Sequence, residues 1–362
     1  MDTRLHGCDG KLASPLTNLA TLRYTASLMK PAVSVLLPVY NAAGTLPDAV
    51  RSLLGQTLLN LEVVAVDDGS TDGSSDILAS LAGEDPRVRV IRTENRGVLQ
   101  ALNTGLAHCR ADLIARMDAD DLCHPRRLDL QSDWMQGHPE TSVLSCRVEM
   151  FPRDGLLGGM LRYEEWLNGF TDHEDIVRNF FVESPFAHPT VMLRRAEVVE
   201  MGGYQEHGWP EDYDLWLRYL VRGCRFAKLP QTLLAWRHTP QRLTFSDSRY
   251  SLENFLRAKA HYLATLLAGQ NRPVWLWGAG QMGRRLLKHL LREEVPIEAI
   301  VDIDPRKIGT VRRGIPVVPR PALIGKDVFV IGAVGSVGAR GLIRDCLTGI
   351  GRTEVRDFLM AA

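Results

Sequence analysis

From Val33 to Asp121 the chain alternates short apolar runs with amphipathic stretches, and each apolar run stops at a polar turn. Val33-Ser-Val-Leu-Leu37 reads as a buried strand ended by Pro38. Thr45-Leu-Pro-Asp48 then supplies an N-cap and capping-box start to a helix with Leu46, Val50, Leu53 and Leu54 on one stripe. Residues 62–66 form a second strand, and the turn Asp67-Asp-Gly-Ser-Thr-Asp72 leads into a helix carrying Ile77, Leu78 and Leu81. A third strand spans 88–91, a helix 98–106, and a fourth strand, 113–117, runs into Asp118-Ala-Asp-Asp121. Strands alternating with helices fold as α/β, with a mostly parallel sheet covered on both faces.

Ligands of such sheets sit outside the carboxyl ends of the strands. Here those ends are acidic: Asp67 and Asp68 follow the second strand, and Asp118, Asp120 and Asp121 follow the fourth. Topology brings the two clusters together although some fifty positions separate them. Crowded carboxylates repel unless a cation or hydrogen-bond donors compensate. Hard oxygen ligands suit Mg²⁺ or Mn²⁺, so the pattern predicts a nucleoside diphosphate held through a divalent ion. Taken singly, each acidic turn could equally be a solvated loop or a helix cap.

The rest of the chain divides further. Residues 150–250 are less regular and read as the second half of the same domain. A helix is expected over 251–268, and Gly269-Gln-Asn-Arg-Pro273 is a polar break, which puts a boundary near 270. Beyond it lie the strand Val274-Trp-Leu-Trp277, the turn Gly278-Ala-Gly-Gln-Met-Gly283 and a helix with Met282, Leu286, Leu287, Leu290 and Leu291 on one face. A strand over 297–301 ends at Asp302, near the spacing at which a dinucleotide-binding unit places its ribose acid. The expected domains are an N-terminal extension (1–30), a catalytic α/β domain (31–268) and a small Rossmann-like α/β domain (273–362).

Charge narrows the function classes. The chain has 43 Lys+Arg against 43 Asp+Glu, so no overall basic field gathers nucleic acid. Residues 273–362 hold 14 basic and 9 acidic residues, an excess that could help the two parts dock. No apolar run reaches the length of a membrane span. Residues 1–30 lack a continuous apolar signal core, since Asn18, Arg23 and Thr25 interrupt it, so the cytoplasm is the expected location, free or peripherally membrane-attached. The six cysteines show no C-x-x-C pair, which argues against structural zinc and a disulfide framework.

Pro38-Val-Tyr-Asn41, Asp67-Asp-Gly-Ser-Thr-Asp72, Asn95-Arg-Gly97, Ala101-Leu-Asn-Thr-Gly105 and Asp118-Ala-Asp-Asp121 occur in order. His124-Pro-Arg-Arg-Leu128, His188-Pro-Thr-Val-Met192 and Glu211-Asp-Tyr-Asp-Leu-Trp216 follow them. Over about residues 32–245 the chain resembles the family 2 glycosyltransferases, whose nucleotide-sugar-binding fold is the GT-A type. The resemblance implies that Pro38, Tyr40 and Asn41 flank the donor base and that Asp68, or Asp67, meets its edge. It implies that Asp118 faces the ribose and diphosphate, that Asp120 binds the metal and that Asp121 is a third acid. Arg96 is a further donor contact, and His238 approaches the diphosphate and metal. Asp212, second acid of the Glu211-Asp212 pair, is implied as the catalytic base. Periodicity adds that Asp212, Leu215, Trp216, Tyr219 and Leu220 share one inward stripe, while Glu211, Asp214 and Arg218 share another, with Asp214 expected to pair with Arg218.

The implied reaction is inverting transfer from a nucleotide-sugar, of uridine type by family habit, to a glycan, lipid-linked or protein acceptor, with Mn²⁺ or Mg²⁺ as cofactor. Tyr163, Trp166, Phe186 and His188 either line the acceptor site or are core. A nucleotidyltransferase would follow its first strand with a glycine-rich basic loop, which Pro38-Val-Tyr-Asn41 replaces. The alternative reading works through the C-terminal unit: an NAD(P)-dependent oxidoreductase or a nucleotide-sensing protein, with Gly278, Gly280, Gly283 and Asp302 as its nucleotide contacts. G-x-G-x-x-G also serves plain tight-turn packing, and 90 residues fall short of the two halves that grip a full dinucleotide.

Overall fold

The computed structural model describes residues 30–239 and 247–362; most of the 1–30 extension, with Cys8, lies outside them. Eight strands form the first sheet: β1 (Val33–Val39), β2 (Leu61–Asp68), β3 (Val88–Thr93), β4 (Leu113–Arg116), β5 (Leu122–Cys123), β6 (Thr141–Phe151), β7 (Met192–Arg194) and β8 (Arg225–Arg237). Their order is β3-β2-β1-β4-β7-β6-β8-β5. The first four are parallel, as the alternation demands, and β7 enters antiparallel between β4 and β6.

Three helices explain why both faces of this sheet are apolar: α1 (Leu46–Leu54), α2 (Ser74–Glu84) and α3 (Val98–His108). Val33, Val35, Leu37 and Val39 pack with Leu46, Val50 and Leu53 of α1, whereas Leu36 and Val64 pack with Leu99, Leu102 and Leu106 of α3. Each such side chain contributes roughly 1.5–3 kcal/mol on burial. β1 runs past Pro38 instead of stopping there. Its pairing with β4 ends at Leu36, so at Pro38 only β2 accompanies it, and the missing N–H breaks no ladder on the β4 side. Thr45 precedes α1 without capping it; its hydroxyl donates to the Ala119 carbonyl at 3.0 Å and ties the helix start to the acidic loop after β4.

The remaining helices are α4 (Arg127–Gly137), α5 (Gly158–Asn168), α6 (His173–Asn179), α7 (Arg195–Glu200), α8 (Glu211–Val221), α9 (Leu252–Leu267), α10 (Gln281–Arg292) and α11 (Ala339–Gly349). The stretch that looked irregular in sequence holds the two longest strands. β6 and β8 run parallel, with register shifts around Arg147 that accommodate Pro230 and Gln231. Those shifts, and the charges scattered along β8, hide the strand period.

The second sheet comprises β9 (Val274–Trp277), β10 (Ile297–Asp302), β11 (Val311–Arg312), β12 (Ile315–Pro319), β13 (Phe329–Gly332) and β14 (Phe358–Met360), in the order β11-β12-β10-β9-β13-β14. All pairs but β11–β12 are parallel. The two sheets share one apolar cluster, in which Tyr213 and Trp216 of α8, Leu256 and Leu263 of α9, and Leu286 and Leu290 of α10 all take part. Buried Lys259 of α9 clamps both sides, donating to the carbonyls of Val182 (2.8 Å) and Ala361 (3.3 Å).

Candidate active site

The parallel strands deliver their acids to one edge, as the topology requires. After β4, one carboxylate oxygen from each of Asp118, Asp120 and Asp121 lies within 4.8 Å of the others; Asp118 and Asp120 are partly open and Asp121 is buried. His238, at the end of β8, is not in that cluster. The neighbouring Arg237 braces the loop: its Nε donates to the Asp120 carbonyl at 2.6 Å and its backbone N–H to Asp121 Oδ1 at 2.7 Å.

Asp67 and Asp68 turn their charge inward, to hold the adjoining turns. Asp67 accepts from the Ser70 N–H at 2.9 Å and from the Ser75 hydroxyl. Burial opposes its charge, but Ser75, Ser70 and Arg92 outweigh burial and keep it ionised below the usual carboxylate range. Asp68 accepts from the N–H groups of Arg96 (3.0 Å) and Gly97 (2.8 Å). Gly69 makes the turn possible: its φ is +71°, and a Cβ there would sit 2.7 Å from the Asn95 nitrogen. At the mouth, Tyr40 is half exposed and Asn41, with φ of +48°, accepts from the Thr71 N–H at 2.8 Å. Pro38 sits in β1 beneath them, while the Arg96 side chain is exposed and pairs with Glu94 at 3.3 Å.

α8 presents the acid pair, which the charge of Arg116 at the end of β4 reaches. Glu211 is 2 % exposed and Asp214 fully buried, whereas Asp212 is partly open. Leu215, Trp216 and Tyr219 of the expected inward stripe are fully buried, but Asp212 at its start is the more open member of the acid pair. The second stripe is covered as well, by the segment leading through α9: the Tyr250 hydroxyl donates to Glu211 at 2.9 Å and the Tyr262 hydroxyl to Asp214 at 2.7 Å. Asp214 does pair with Arg218, at 2.8 Å, and also accepts from Trp209 Nε1. Asp212 Oδ1 accepts from the Tyr213 N–H at 2.7 Å. Burial of its carboxyl and the neighbouring Glu211 push its proton affinity up to about 7, against the opposing pull of that N–H and of Arg116.

Arg116 is the residue sequence reasoning missed. It ends β4, is 4 % exposed and forms an ion pair with Asp118. Burial works against its charge, and Asp118, Tyr204 and Asp121 outweigh burial and hold it protonated. The same cation lowers the proton affinities of Glu211 and Asp212, so its charge acts on both acid groups. Burial and Arg116 also depress His188, whose Nε2 meets the Tyr204 hydroxyl at 2.9 Å. The signal was present in Leu113-Ile-Ala-Arg-Met117: one charge in an otherwise apolar strand, beside an acidic turn. Phe186 belongs to the core, edge-on to Trp216, while Tyr163 and Trp166 stack on each other, partly open.

Comparison with known proteins fits this arrangement. Residues 34–202 match the family model "Glycosyl transferase family 2". "Amylovoran biosynthesis glycosyltransferase AmsE" of Erwinia amylovora is 36 % identical over 205 residues, 56 % of this chain and 74 % of the relative. The chain belongs to glycosyl transferase family 2. This glycosyltransferase is also 28 % identical over 214 residues to the Escherichia coli "UDP-Gal:alpha-D-GlcNAc-diphosphoundecaprenol beta-1,3-galactosyltransferase", covering 58 % of this chain and 76 % of that one. Among solved structures it shares the fold of S. aureus TarS 1-349 in complex with UDP-GlcNAc (TM-score 0.54, 19 % identity, 73 % of this chain and 72 % of that chain). Its reaction class is therefore glycosyl transfer from a nucleotide-sugar in glycan synthesis.

At the second sheet the glycines serve packing first. A Cβ on Gly278 would lie 2.7 Å from the Ala333 carbonyl oxygen, and one on Gly283 would fall 1.8 Å from the Gly278 oxygen, whereas Gly280 faces open space. Asp302 accepts from the N–H groups of Ala279 (2.8 Å) and Asp304 (2.9 Å), and Lys307 lies 3.3 Å away.

Proposed function

We propose that this glycosyltransferase is inverting and divalent-metal-dependent, taking its sugar from a uridine diphosphate donor and passing it to a hydroxyl of a lipid-linked or other glycan acceptor. The observation that carries the reading is the pairing, across Arg116, of a three-carboxylate cluster with a partly open acid of raised proton affinity. The name of the E. coli relative, with its UDP-Gal donor, lipid-linked acceptor and β linkage, supports the finer assignment. No helix among the described residues is long and apolar enough to cross a membrane, so we read attachment to a membrane-borne acceptor as peripheral.

Three hard oxygens within 4.8 Å fit Mg²⁺ or Mn²⁺. Asp120, with Asp118 and Asp121, would hold the ion, and His238 would approach the diphosphate from β8; when bound, the ion neutralises the departing nucleoside diphosphate. Pro38, Tyr40, Asn41 and the Asp67–Asp68 turn flank the base, and Arg96 lies at the rim. Asp212 takes the proton of the acceptor hydroxyl as its oxygen bonds to the anomeric carbon and the bond from that carbon to the phosphate oxygen breaks. One displacement inverts the anomeric centre without a covalent enzyme intermediate, and positioning plus fixed charge carry the rate. We read residues 31–268 and 273–362 as two domains. In the second, the packing duty of Gly278 and Gly283 and the engagement of Asp302 favour docking or support over hydride chemistry.

The test is a panel of UDP-, GDP- and TDP-sugars with Mn²⁺, scored by thermal shift and nucleoside diphosphate release. Release confined to UDP-sugars and abolished by chelation supports the reading. Activity only with NAD(P)H and a carbonyl compound would reject it.

A further inference from the structure

The acid pair of α8 is held by a residue that comes 39 positions later. Tyr250 closes the 3₁₀ turn Ser248–Tyr250, just before α9, and its hydroxyl lies 2.9 Å from both oxygens of Glu211. Arg249 backs it up at 3.7 Å from Glu211 Oε2, itself oriented by Asp247 at 2.6 Å. A carboxyl with 2 % exposure needs such donors. Deprived of them it would take up a proton or swing away, and Asp212, its neighbour in the chain, would feel either change.

We propose that Tyr250 is a positioning residue for the transfer reaction: it pins the Glu211 carboxylate and thereby fixes the geometry and charge that surround Asp212. The proposal rests on the reading of Asp212 as base. Several groups face the pair. Arg116 comes from β4, Tyr204 from the loop before α8, and Asp247, Arg249 and Tyr250 from the turn, with Glu206 beyond Arg249 at 3.8 Å. Asp214 on the same helix is engaged elsewhere, by Arg218 and Tyr262. Tyr250 is therefore the group whose removal takes a hydrogen bond from the pair while carrying no charge of its own away. The link extends beyond the site, because Glu253, in the first turn of α9, binds His289 of α10 at 2.9 Å and also Lys288.

Burial raises the proton affinity of Glu211, and the hydrogen bond from Tyr250 opposes that rise. The phenol stabilises ionised Glu211; without it Glu211 is neutral over more of the pH range, its repulsion of Asp212 is relieved, and Asp212 ionises at lower pH. It becomes a weaker base.

The experiment compares Tyr250→Phe, Glu211→Gln, the double variant and Asp212→Asn in the full chain, with Mn²⁺ and whichever of UDP-glucose, UDP-galactose and UDP-N-acetylglucosamine gives release. Tyr250→Phe is expected to keep affinity for UDP and Mn²⁺ within about twofold, to lower kcat about tenfold and to move the acid limb of the rate profile to lower pH. Glu211→Gln should move the limb the same way, and the double variant should be no worse than Glu211→Gln alone. A wild-type profile and kcat in Tyr250→Phe, or additive losses in the double variant, overturns the positioning role while leaving the base assignment standing if Asp212→Asn is inactive. Full turnover by Asp212→Asn would overturn both. A loss of melting temperature in Tyr250→Phe that fully accounts for the loss of rate, with the pH limb unmoved, also counts against the proposal.

Discussion

Arg116 and Asp118, two residues apart at the end of β4, form an ion pair whose cation is almost wholly buried while its anion is partly open to the site. The guanidinium balances acids on both sides, so its loss acts twice. Removing one partner of a buried pair costs about 3–5 kcal/mol and leaves the other charge uncompensated. Arg116→Met is expected to lower stability by that order in urea unfolding. It should also cut transfer by about a hundredfold, beyond what partial unfolding explains. Wild-type stability in this variant would show that the acids are balanced some other way.

The raised proton affinity of Asp212 gives the enzyme a pH dependence of definite sign. A base must be deprotonated to work, so kcat/KM should climb with pH and level off above about 7, as the carboxyl ionises. A limb placed instead at the ordinary carboxylate range would mean that burial and Glu211 do not act on Asp212 as described.

Asp120 should matter to donor binding through a cation. Asp120→Ala is expected to abolish the Mn²⁺-dependent part of UDP affinity by calorimetry while leaving the fold intact. The brace from Arg237 Nε reaches the Asp120 backbone carbonyl, which the substitution keeps. Unchanged metal-dependent affinity would remove the carboxylate cluster from the mechanism.

The glycines after β9 divide by what surrounds them. Gly283→Ala forces a Cβ against the Gly278 carbonyl and is expected to destabilise by at least about 1–3 kcal/mol. Gly280→Ala meets nothing within 4 Å and should stay within about 1 kcal/mol of the parent. Thermal unfolding of the two variants checks this. Equal losses would contradict the packing account.

The parallel half of the first sheet was legible because β1, β2 and β4 are near-continuous apolar runs, β2 and β4 ending in acidic turns, a pattern set by burial on both faces. The Asp118–Asp121 cluster lies in one loop and was legible from adjacency in the chain, whereas Asp67 and Asp68 hold the adjoining turns. α8 was read correctly as a helix, its Asp214–Arg218 pair was anticipated and Leu215, Trp216 and Tyr219 face inward as expected, but the burial of Glu211 and Asp214 was not foreseen. Tyr250 and Tyr262, brought in by a segment some forty residues downstream, bury Glu211 and Asp214, and helical periodicity carries no information about such a cover. β8 escaped notice because the register shift near Pro230 interrupts its alternation. Arg116 was passed over as an ordinary strand residue; only its burial beside Asp118, with its charge felt by Glu211 and Asp212, gives it meaning.

The most direct check of the whole account is the rate of single-turnover sugar transfer by Asp212→Asn, measured with saturating UDP-sugar and Mn²⁺. Donor affinity is expected to stay within about threefold of the parent and the transfer rate to fall by at least about a thousandfold, since the amide can hold a hydrogen bond but cannot take the acceptor's proton. Transfer at the parental rate would contradict it.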